Sequence, residues 1–417
     1  MELKRVVVTG LGALTPIGNT VSEYWNGLIN GVSGAAPITR FDATNFKTKF
    51  ACELKNFKAE DFLDRKEVRK LDPFVQYALV STDEAVIDSG LDIENSDTNR
   101  IGVIWGSGIG GLKTFLDEVV NFAKGDGTPR YNPFFIPKMI LDIAPGHISI
   151  KYGLRGPNFS TVSACASSTN ALIDAFNYIR IGMADVIISG GSEAIINEAG
   201  MGGFNAMHAL STRNEDPATA SRPFDKDRDG FVAGEGSGTI ILEELEHAKA
   251  RGAKIYAEII GGGMSADANH ITAPHPEGLG ARLVMSNALK DAGLSTSDID
   301  YINVHGTSTP LGDISESKAI IDLFGEDAFK LNISSTKSMT GHLLGAAGAI
   351  ESIAAILAVK NDVVPPTINH FTDDPEINPR LNLTFNTAQK RLVRAAQSNT
   401  FGFGGHNASV IFRKYEG

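Results

Sequence analysis

Two segments of this chain share a pattern that constrains its fold more than any other feature. Each follows a predicted strand, crosses a turn of small residues and opens a helix: VSACASSTNALIDAF at 162–176 and TKSMTGHLLGAAGAIESI at 336–353. Strands and helices alternate throughout, which predicts an α/β fold with mostly parallel strands. Because the second part of the chain repeats the order of the first, we expect the two turns to meet around a pseudo-two-fold axis.

The length supports a duplicated architecture. A chain of 417 residues exceeds the usual size of a single hydrophobic core. The pattern restarts near residue 254, so we expect one half at 1–253 and a second at 254–417. In the first half, Gly10 and Gly12 are predicted to form a turn after a strand at 5–8. In the second, a glycine turn at 261–263 is predicted to follow a strand at 255–260.

Charge and cysteine content narrow the functional classes. The net charge of −11, from 49 acidic and 38 basic residues, argues against global nucleic-acid binding. Cys52 and Cys165 provide no disulfide framework and suit a reducing compartment. The N-terminus enters a strand without an apolar leader, which indicates a cytoplasmic protein. The apolar stretch 341–359 contains His342 and Glu351, so we expect a buried central helix and no membrane span.

Cys165 is the first candidate for chemistry. It lies on the first small-residue turn, beside the N–H groups and the positive end of the helix dipole, which would stabilise a thiolate. Small neighbours predict an accessible thiol. A small cysteine that only packs the turn fits the same sequence, and this stretch alone leaves both interpretations open.

Two histidines are the other candidates. His305 ends the predicted strand in YINVHG, and His342 lies in the second small-residue turn. Either alone is more often structural, but the duplication would bring both towards Cys165. The sequence therefore favours Cys/His chemistry on acyl compounds. It contains no HExxH or CxxC framework, so we expect no metal site.

A basic segment, DRKEVRK at 64–70, lies in a predicted helix. Arg65 with Arg69, and Lys66 with Lys70, would lie four residues apart on it. The segment is either a solvated face or a docking site for an acidic partner.

Five motifs in order carry a family resemblance: GPNFSTVSACASS, RPFDKDRDGFVAGEG, VHGTSTPLGD, TKSMTGHLLGAAGAIES and NTFGFGGHN. With them the chain resembles, over essentially its whole length, the β-ketoacyl-acyl carrier protein synthases of the thiolase fold. Within that family it is most similar to the type II condensing enzymes of dissociated fatty acid synthesis. The resemblance implies an α/β thiolase-like fold in which two similar halves form an α-β-α-β-α layered core. It also implies decarboxylative condensation of malonyl-carrier protein with a cysteine-bound acyl chain.

The resemblance also assigns roles by motif position. Cys165 would be the acyl-accepting nucleophile, His305 and His342 would hydrogen-bond the malonyl thioester oxygen, and Lys337 and Glu351 would support them. Backbone N–H groups of Cys165 and Phe403 would form the oxyanion hole. The implied acyl pocket and gate comprise Ile109, Phe135, Phe204, Phe401 and Phe403. Thr307 and Thr309 would bind the pantetheine arm, and Arg65, Lys66, Arg69 and Lys70 would dock the carrier protein.

Other expectations follow from the resemblance. The partner is acyl carrier protein, the enzyme is a homodimer, and no cofactor is required because release of carbon dioxide drives the reaction. Two positions depart from the family: His208 stands where relatives often carry arginine, and His406 gives GGHN where relatives have GGTN.

Several alternatives remain. A ketosynthase of a dissociated polyketide or aryl-polyene pathway would share every catalytic residue. A non-catalytic chain-length subunit would not require Cys165, and a cysteine hydrolase would share the nucleophile. A thiolase needs a second active-site cysteine, and Cys52 lies far from any helix-opening turn.

Overall fold

The structure, a computed structural model, describes residues 3–417. The strands are β1 (Val6–Leu14), β2 (Ala36–Pro37), β3 (Phe50–Ala51), β4 (Ile101–Gly106), β5 (Asn158–Thr161), β6 (Val186–Glu193), β7 (Gly236–Glu244), β8 (Ala257–Ala266), β9 (Tyr301–Asn303), β10 (Asn332–Ser334), β11 (Val363–Val364), β12 (Gln389–Lys390), β13 (Ala395–Gly402) and β14 (His406–Arg413). The helices are α1 (Val21–Ile29), α2 (Arg65–Val68), α3 (Pro73–Ser89), α4 (Leu112–Lys124), α5 (Phe135–Met139), α6 (Ile143–Tyr152), α7 (Ser167–Arg180), α8 (Glu198–Ala206), α9 (Leu245–Ala250), α10 (Leu279–Ala292), α11 (Pro310–Phe324), α12 (Lys337–Thr340) and α13 (Ala347–Asn361).

Ten strands form one sheet in the order β10-β9-β13-β14-β8-β1-β7-β6-β4-β5. Its two five-stranded groups follow the same rule, since each places its strands in the chain order third, second, fourth, fifth, first. The groups join where β1 pairs antiparallel with β8 over three residues, Val6–Val8 with Ala257–Ile259. The repeat inferred from the sequence is therefore present in the strand order.

The expectation of mostly parallel strands is wrong. Within each group the outer pairs are parallel, β4 with β5 and β6, and β9 with β10 and β13. The inner pairs and the β1–β8 junction are antiparallel. Only three residues, 403–405, separate β13 from β14, and such a short connection permits only antiparallel pairing.

The helices complete the predicted α-β-α-β-α layers. Helices α7 and α13 lie in the centre and contact strands of both groups. Helices α3 and α6 cover the outer face of the first group, and α10 covers that of the second. The predicted α/β thiolase-like class is confirmed.

Close packing explains where the turn predictions fail. Gly10 and Gly12 lie inside β1, and a Cβ on Gly12 would come within 1.9 Å of the Ser81 carbonyl oxygen of α3. The glycines at 261–263 likewise lie inside β8, where a Cβ on Gly263 would approach the Val284 oxygen of α10 to 2.3 Å. These glycines let a helix approach the first strand of each group.

The apolar stretch 341–359 begins in the second turn and continues into the expected buried helix, α13. Residues Leu344–Asn361 are long and apolar enough to cross a membrane, yet 89% of that window is buried inside the structure. Every residue from Ala347 to Val359 is buried. The buried helix α13 directly follows the second turn and anchors it in the core.

Candidate active site

The turn that carries Cys165 is a single 3-10 turn, Ala164–Ala166, between β5 and α7. Ala164 adopts a positive φ of 51°. A left-handed conformation at a residue other than glycine is strained, and such strain is concentrated at functional sites. The backbone N–H of Phe403 lies close enough to the Cys165 thiol to lower its pKa.

The thiol is less accessible than its small neighbours predict. Cys165 is only 7% exposed. Burial raises the pKa of its thiol to about 12, although the charge on Lys337 and the N–H of Phe403 oppose the increase. Burial thus acts against the stabilised thiolate that the position beside the helix start predicts.

The second turn meets the first. His342 precedes the 3-10 turn Leu344–Ala346, in which Leu344 has a φ of 47°. The Nε2 atom of His342 lies 3.0 Å from the Cys165 sulfur, although the two residues are 177 positions apart. The backbone N–H of His342 donates to the Val232 oxygen, which fixes the turn. The predicted convergence of the two turns is thus present.

His305 joins this pair from the end of β9. Its ring centroid lies 5.3 Å from that of His342, with the two rings nearly perpendicular at 85°. Burial, followed by the charge of Lys337, lowers the pKa of both histidines well below the ordinary value. Both rings are therefore neutral near pH 7, and each offers one N–H and one acceptor nitrogen.

Lys337 and Glu351 form a buried ion pair beside the histidines. Lys337 is 1% exposed and Glu351 is fully buried. Burial raises the pKa of Glu351 to about 7, and Lys337 opposes this shift. The pair places a cation near both imidazoles, which explains part of their lowered pKa values.

Cys165, His305 and His342 line one cavity of about 570 Å³. Most of the predicted pocket, gate and pantetheine residues also line it: Ile109, Phe204, Phe401, Phe403, Thr307 and Thr309. The hydroxyls of Thr307 and Thr309 lie 3.1 Å apart. The cavity wall is mainly apolar, as a site for an acyl chain requires.

Phe135 does not line this cavity. It begins α5, where its ring lies 5.4 Å from that of Tyr131 and 6.4 Å from that of Phe115. The structure therefore separates Phe135 from the other predicted pocket residues.

The basic segment forms a shorter helix than predicted. Helix α2 spans only Arg65–Val68, so the i,i+4 pairs do not lie along one continuous helix. Arg65, Lys66 and Arg69 are exposed, whereas Lys70 is paired with Glu67 at 2.7 Å. Lys138 reaches the Arg69 oxygen at 3.4 Å and adds a further cation to this surface.

The two departures from the family occupy different places. His208, at a φ of 54°, lines the cavity. His406 is exposed at the start of β14, and its ring packs over Gly404, where a Cβ would lie 2.8 Å from Nε2.

Two buried carboxylates that our sequence reasoning missed hold the loops of the site. Glu316 accepts the backbone N–H groups of His305 at 3.0 Å and Gly306 at 2.9 Å. Glu193 accepts those of Gly108 and Gly345. The available signal for Glu193 was an acidic residue at the end of DVIISGGSE, after the apolar residues 186–188 and the small residues 189–192.

Comparisons with known proteins agree with this geometry. Residues 3–248 match the family described as beta-ketoacyl synthase, N-terminal domain, and residues 256–371 match its C-terminal domain. The chain is 50% identical over 416 residues to 3-oxoacyl-(acyl-carrier-protein) synthase 2 of Synechocystis, covering 100% of this chain and 99% of the relative. It is 51% identical to the protein of the same name from Staphylococcus aureus strain N315, with 99% of each chain covered.

A solved structure extends the comparison to a complex. It is the structure of a type II PKS acyl-carrier protein in complex with its ketosynthase bound to the hexaketide. It matches with a TM-score of 0.90 at 35% identity, and the match covers 99% of this chain and 100% of the solved chain. From its sequence, its fold and the arrangement of Cys165 with two histidines, this chain belongs to the β-ketoacyl synthase family.

Proposed function

We propose that the protein is a 3-oxoacyl-acyl carrier protein synthase of type II, which condenses malonyl-carrier protein with an acyl chain held on Cys165. The observation that carries the proposal is the 3.0 Å approach of His342 Nε2 to the Cys165 sulfur at the wall of an apolar cavity. The relatives named 3-oxoacyl-(acyl-carrier-protein) synthase 2 support it over the full length.

The first half-reaction transfers the acyl group. Because the resting thiol is protonated, the neutral His342 ring accepts its proton as the sulfur attacks the thioester carbonyl carbon. The new carbon–sulfur bond to Cys165 forms and the bond to the carrier thiol breaks. The proton then passes to the departing carrier thiolate, which leaves as a thiol.

The second half-reaction forms the carbon–carbon bond. The malonyl carboxylate leaves as carbon dioxide, and the electron pair moves onto the thioester as an enolate. Its oxygen accepts an N–H from His305 and, in the tautomer that carries the proton on Nε2, one from His342. The enolate carbon attacks the acyl carbon on Cys165, and the N–H groups of Cys165 and Phe403 stabilise the tetrahedral oxyanion. The Cys165 thiolate departs and takes up one proton.

The Lys337–Glu351 pair supports both steps in this proposal. Neutral histidines are needed to accept the thiol proton and to donate to the enolate oxygen, and the nearby lysine disfavours their protonated forms. Ile109, Phe204 and Phe401 would contact the acyl chain, and Thr307 with Thr309 would bind the pantetheine arm.

The acidic partner is acyl carrier protein. The exposed Arg65, Lys66 and Arg69 offer a local basic surface on an acidic protein, which can attract the partner electrostatically. The double variant Lys66→Glu with Arg69→Glu should raise the apparent KM for the carrier protein, and added salt should reduce the difference from the wild type. A matched control places the same charge change at the exposed Lys290 and Lys318. Equal kinetics for both double variants at low salt would remove the basic surface from the proposal.

A homodimer is also part of the proposal. Strand β5 lies at an open edge of the sheet, and Val162 beside it is 60% exposed. A second exposed apolar group contains stacked rings of Phe122 and Tyr131, which are 39% and 40% exposed. Open strand edges and large exposed aromatic groups are usually covered by a partner. Light scattering after gel filtration should give twice the mass of the chain; a monomer at all concentrations would contradict this.

Two further expectations remain proposals. The division into halves at 253/254 is supported by the gap between the two family matches, residues 249–255. A reducing, cytoplasmic location is supported by two unpaired cysteines, Cys52 and Cys165.

A panel of acyl primers tests the function and its rivals. Saturated acyl-carrier proteins, unsaturated primers and aryl primers would each be supplied with malonyl-carrier protein, and mass spectrometry would detect both the acyl-enzyme and the product. We expect saturated primers to give 3-oxoacyl products. Exclusive use of unsaturated or aryl primers would indicate a polyketide or aryl-polyene enzyme. Release of free acid would indicate a hydrolase, and absence of any acyl-enzyme would indicate a chain-length subunit.

A further inference from the structure

Glu193 is fully buried at the end of β6, where it accepts hydrogen bonds from two separate parts of the active site. Its Oε2 atom accepts the N–H of Gly108 at 2.8 Å and that of Gly345 at 3.0 Å. Its Oε1 atom accepts the N–H of Ile109 at 3.2 Å and the hydroxyl of Ser107 at 3.3 Å. Both carboxylate oxygens thus join the loop after β4, and Oε2 also holds the turn after His342.

The two parts that Glu193 joins face the cavity. Ile109 and Leu344 both line it, and His342 lies two residues before Leu344. The loop and the turn approach so closely that a Cβ on Gly345 would lie 2.2 Å from the Gly108 nitrogen and 2.6 Å from Glu193 Oε2. No side chain fits between them, so the carboxylate is the group that satisfies both backbones.

We propose that Glu193 is a positioning residue that fixes the cavity wall at Ile109 relative to the turn that carries His342, and that it thereby sets which acyl lengths are accepted. This inference rests on the proposed function, since it concerns the acyl chain on Cys165. Removal of one acceptor oxygen would leave buried N–H groups unpaired, and the loop would separate from the turn to find other partners. The wall would then move without any change in the reactive side chains.

Glu84 provides a matched control. It is a partly buried carboxylate that accepts the N–H groups of Ala13 and Val21, both at 2.8 Å, and it does not line the cavity. Burial raises the pKa of Glu84 and of Glu193 to about 7 in each case. The two residues therefore make the same kind of contact in different places, and a purely structural role predicts similar consequences for both.

The experiment compares Glu193→Gln, Glu84→Gln and the wild type with hexanoyl-, decanoyl- and hexadecanoyl-carrier proteins. For Glu193→Gln we expect the ratio of kcat/KM between the longest and shortest chains to change about tenfold, chiefly through KM. We expect Glu84→Gln to keep the wild-type ratio while its melting temperature falls. An unchanged ratio in Glu193→Gln, an equal loss of kcat for every chain, or the same change in Glu84→Gln would overturn the proposal.

A second variant and a separate assay distinguish failure of the role of Glu193 from failure of the proposed function. If Glu193→Gln does not fold, Gly108→Ala replaces it, because its Cβ would lie 2.8 Å from Glu193 Oε2 and disturb the same contact with the carboxylate intact. An unchanged length profile in that variant would also overturn the inference. Mass detection of acyl-Cys165 on the wild type tests the function separately: its absence for every chain would contradict the proposed function, whereas its presence with an unaltered profile in the variants would contradict only the role of Glu193.

Discussion

The turns at Cys165 and His342 have nearly the same backbone and different chemistry. Ala164 and Leu344 have φ values of 51° and 47°. The residues that open the following helices, Ser167 and Ala347, have φ, ψ values of −54°, −51° and −55°, −50°. Each turn also follows the third strand of its five-stranded group in the chain. The duplication therefore extends to the strained residue of each turn.

The side chains at equivalent positions explain why the site is not symmetrical. Counted from the strained residue, Cys165 corresponds to Gly345, and His342 corresponds to Val162. A Cβ at Gly345 would lie 2.2 Å from the Gly108 nitrogen, so the second turn has no room for a nucleophile. Val162 is 60% exposed and does not line the cavity, so a histidine at this position would lie outside the site. In the proposed mechanism, one backbone thus supplies the nucleophile and its copy supplies the base.

The largest effect is expected when the sulfur of Cys165 in the first turn is replaced. Cys165→Ser should abolish the mass increase on incubation with acyl-carrier protein, because a serine hydroxyl lacks the nucleophilicity of the sulfur. Cys52→Ser is the matched control, since Cys52 is also buried, at 1% exposure, and lies outside the cavity lining. An adduct that persists in Cys165→Ser would place the nucleophile elsewhere.

The second prediction concerns His342 in the second turn and its neighbour His305. His305→Ala and His342→Ala should each slow decarboxylation of malonyl-carrier protein by about 10²–10³-fold, the usual effect of losing one oxyanion donor. Each substitution should slow acylation less than it slows decarboxylation. Of the two, His342→Ala should slow acylation more, because only His342 lies 3.0 Å from the Cys165 sulfur. Release of carbon dioxide and the rate of acyl-enzyme formation measure the two steps. Normal decarboxylation in either variant would contradict the role of that histidine as a donor to the enolate, and unchanged acylation in His342→Ala would contradict its role as the base.

The third prediction concerns the state of the thiol. Because burial raises the pKa of Cys165 to about 12, the thiolate fraction should increase about tenfold per pH unit from pH 7 to 10. Alkylation by iodoacetamide, followed by mass spectrometry with Cys165→Ser as the control, should rise across this range without a plateau. A plateau near pH 7 would show that the helix end stabilises the thiolate after all.

The buried thiol of Cys165 shows which features of the site can be predicted from the sequence and which cannot. The convergence of Cys165, His305 and His342 was predictable because the repeat and the ends of elements are visible locally. The exposure of the thiol was not, because the Phe403 loop that approaches it lies 238 residues away along the chain. Glu193 and Glu316 were missed since their partners are backbone N–H groups, which no side-chain pattern reveals.

The fold was predictable to a similar depth. The buried helix expected in the stretch 341–359 is present, since α13 spans Ala347–Asn361 and every residue from Ala347 to Val359 is buried. Gly10 and Gly12 were wrongly placed in a turn because glycine is a strong local signal for turns. In this protein the glycines serve tertiary packing, since α3 approaches β1 too closely for a side chain.

The smallest effect is expected from glycine substitutions at the two strained residues, Ala164 and Leu344. They distinguish the contribution of backbone strain to stability from that of side-chain packing. Ala164→Gly should leave stability unchanged or raise it by up to about 1.5 kcal/mol, because glycine relieves about 1–2 kcal/mol of left-handed strain and loses about 0.5–1 kcal/mol through the unfolded chain. Leu344→Gly relieves the same strain but removes a side chain that is only 4% exposed, which costs roughly 2–5 kcal/mol. With the net gain of up to about 1.5 kcal/mol from the backbone, it should destabilise the protein by roughly 0.5–5 kcal/mol. Calorimetric melting of both variants checks the contrast. A shift in the same direction and of the same size would mean that the matching φ values do not reflect matching strain, and the equivalence of the two turns would then rest on strand order alone.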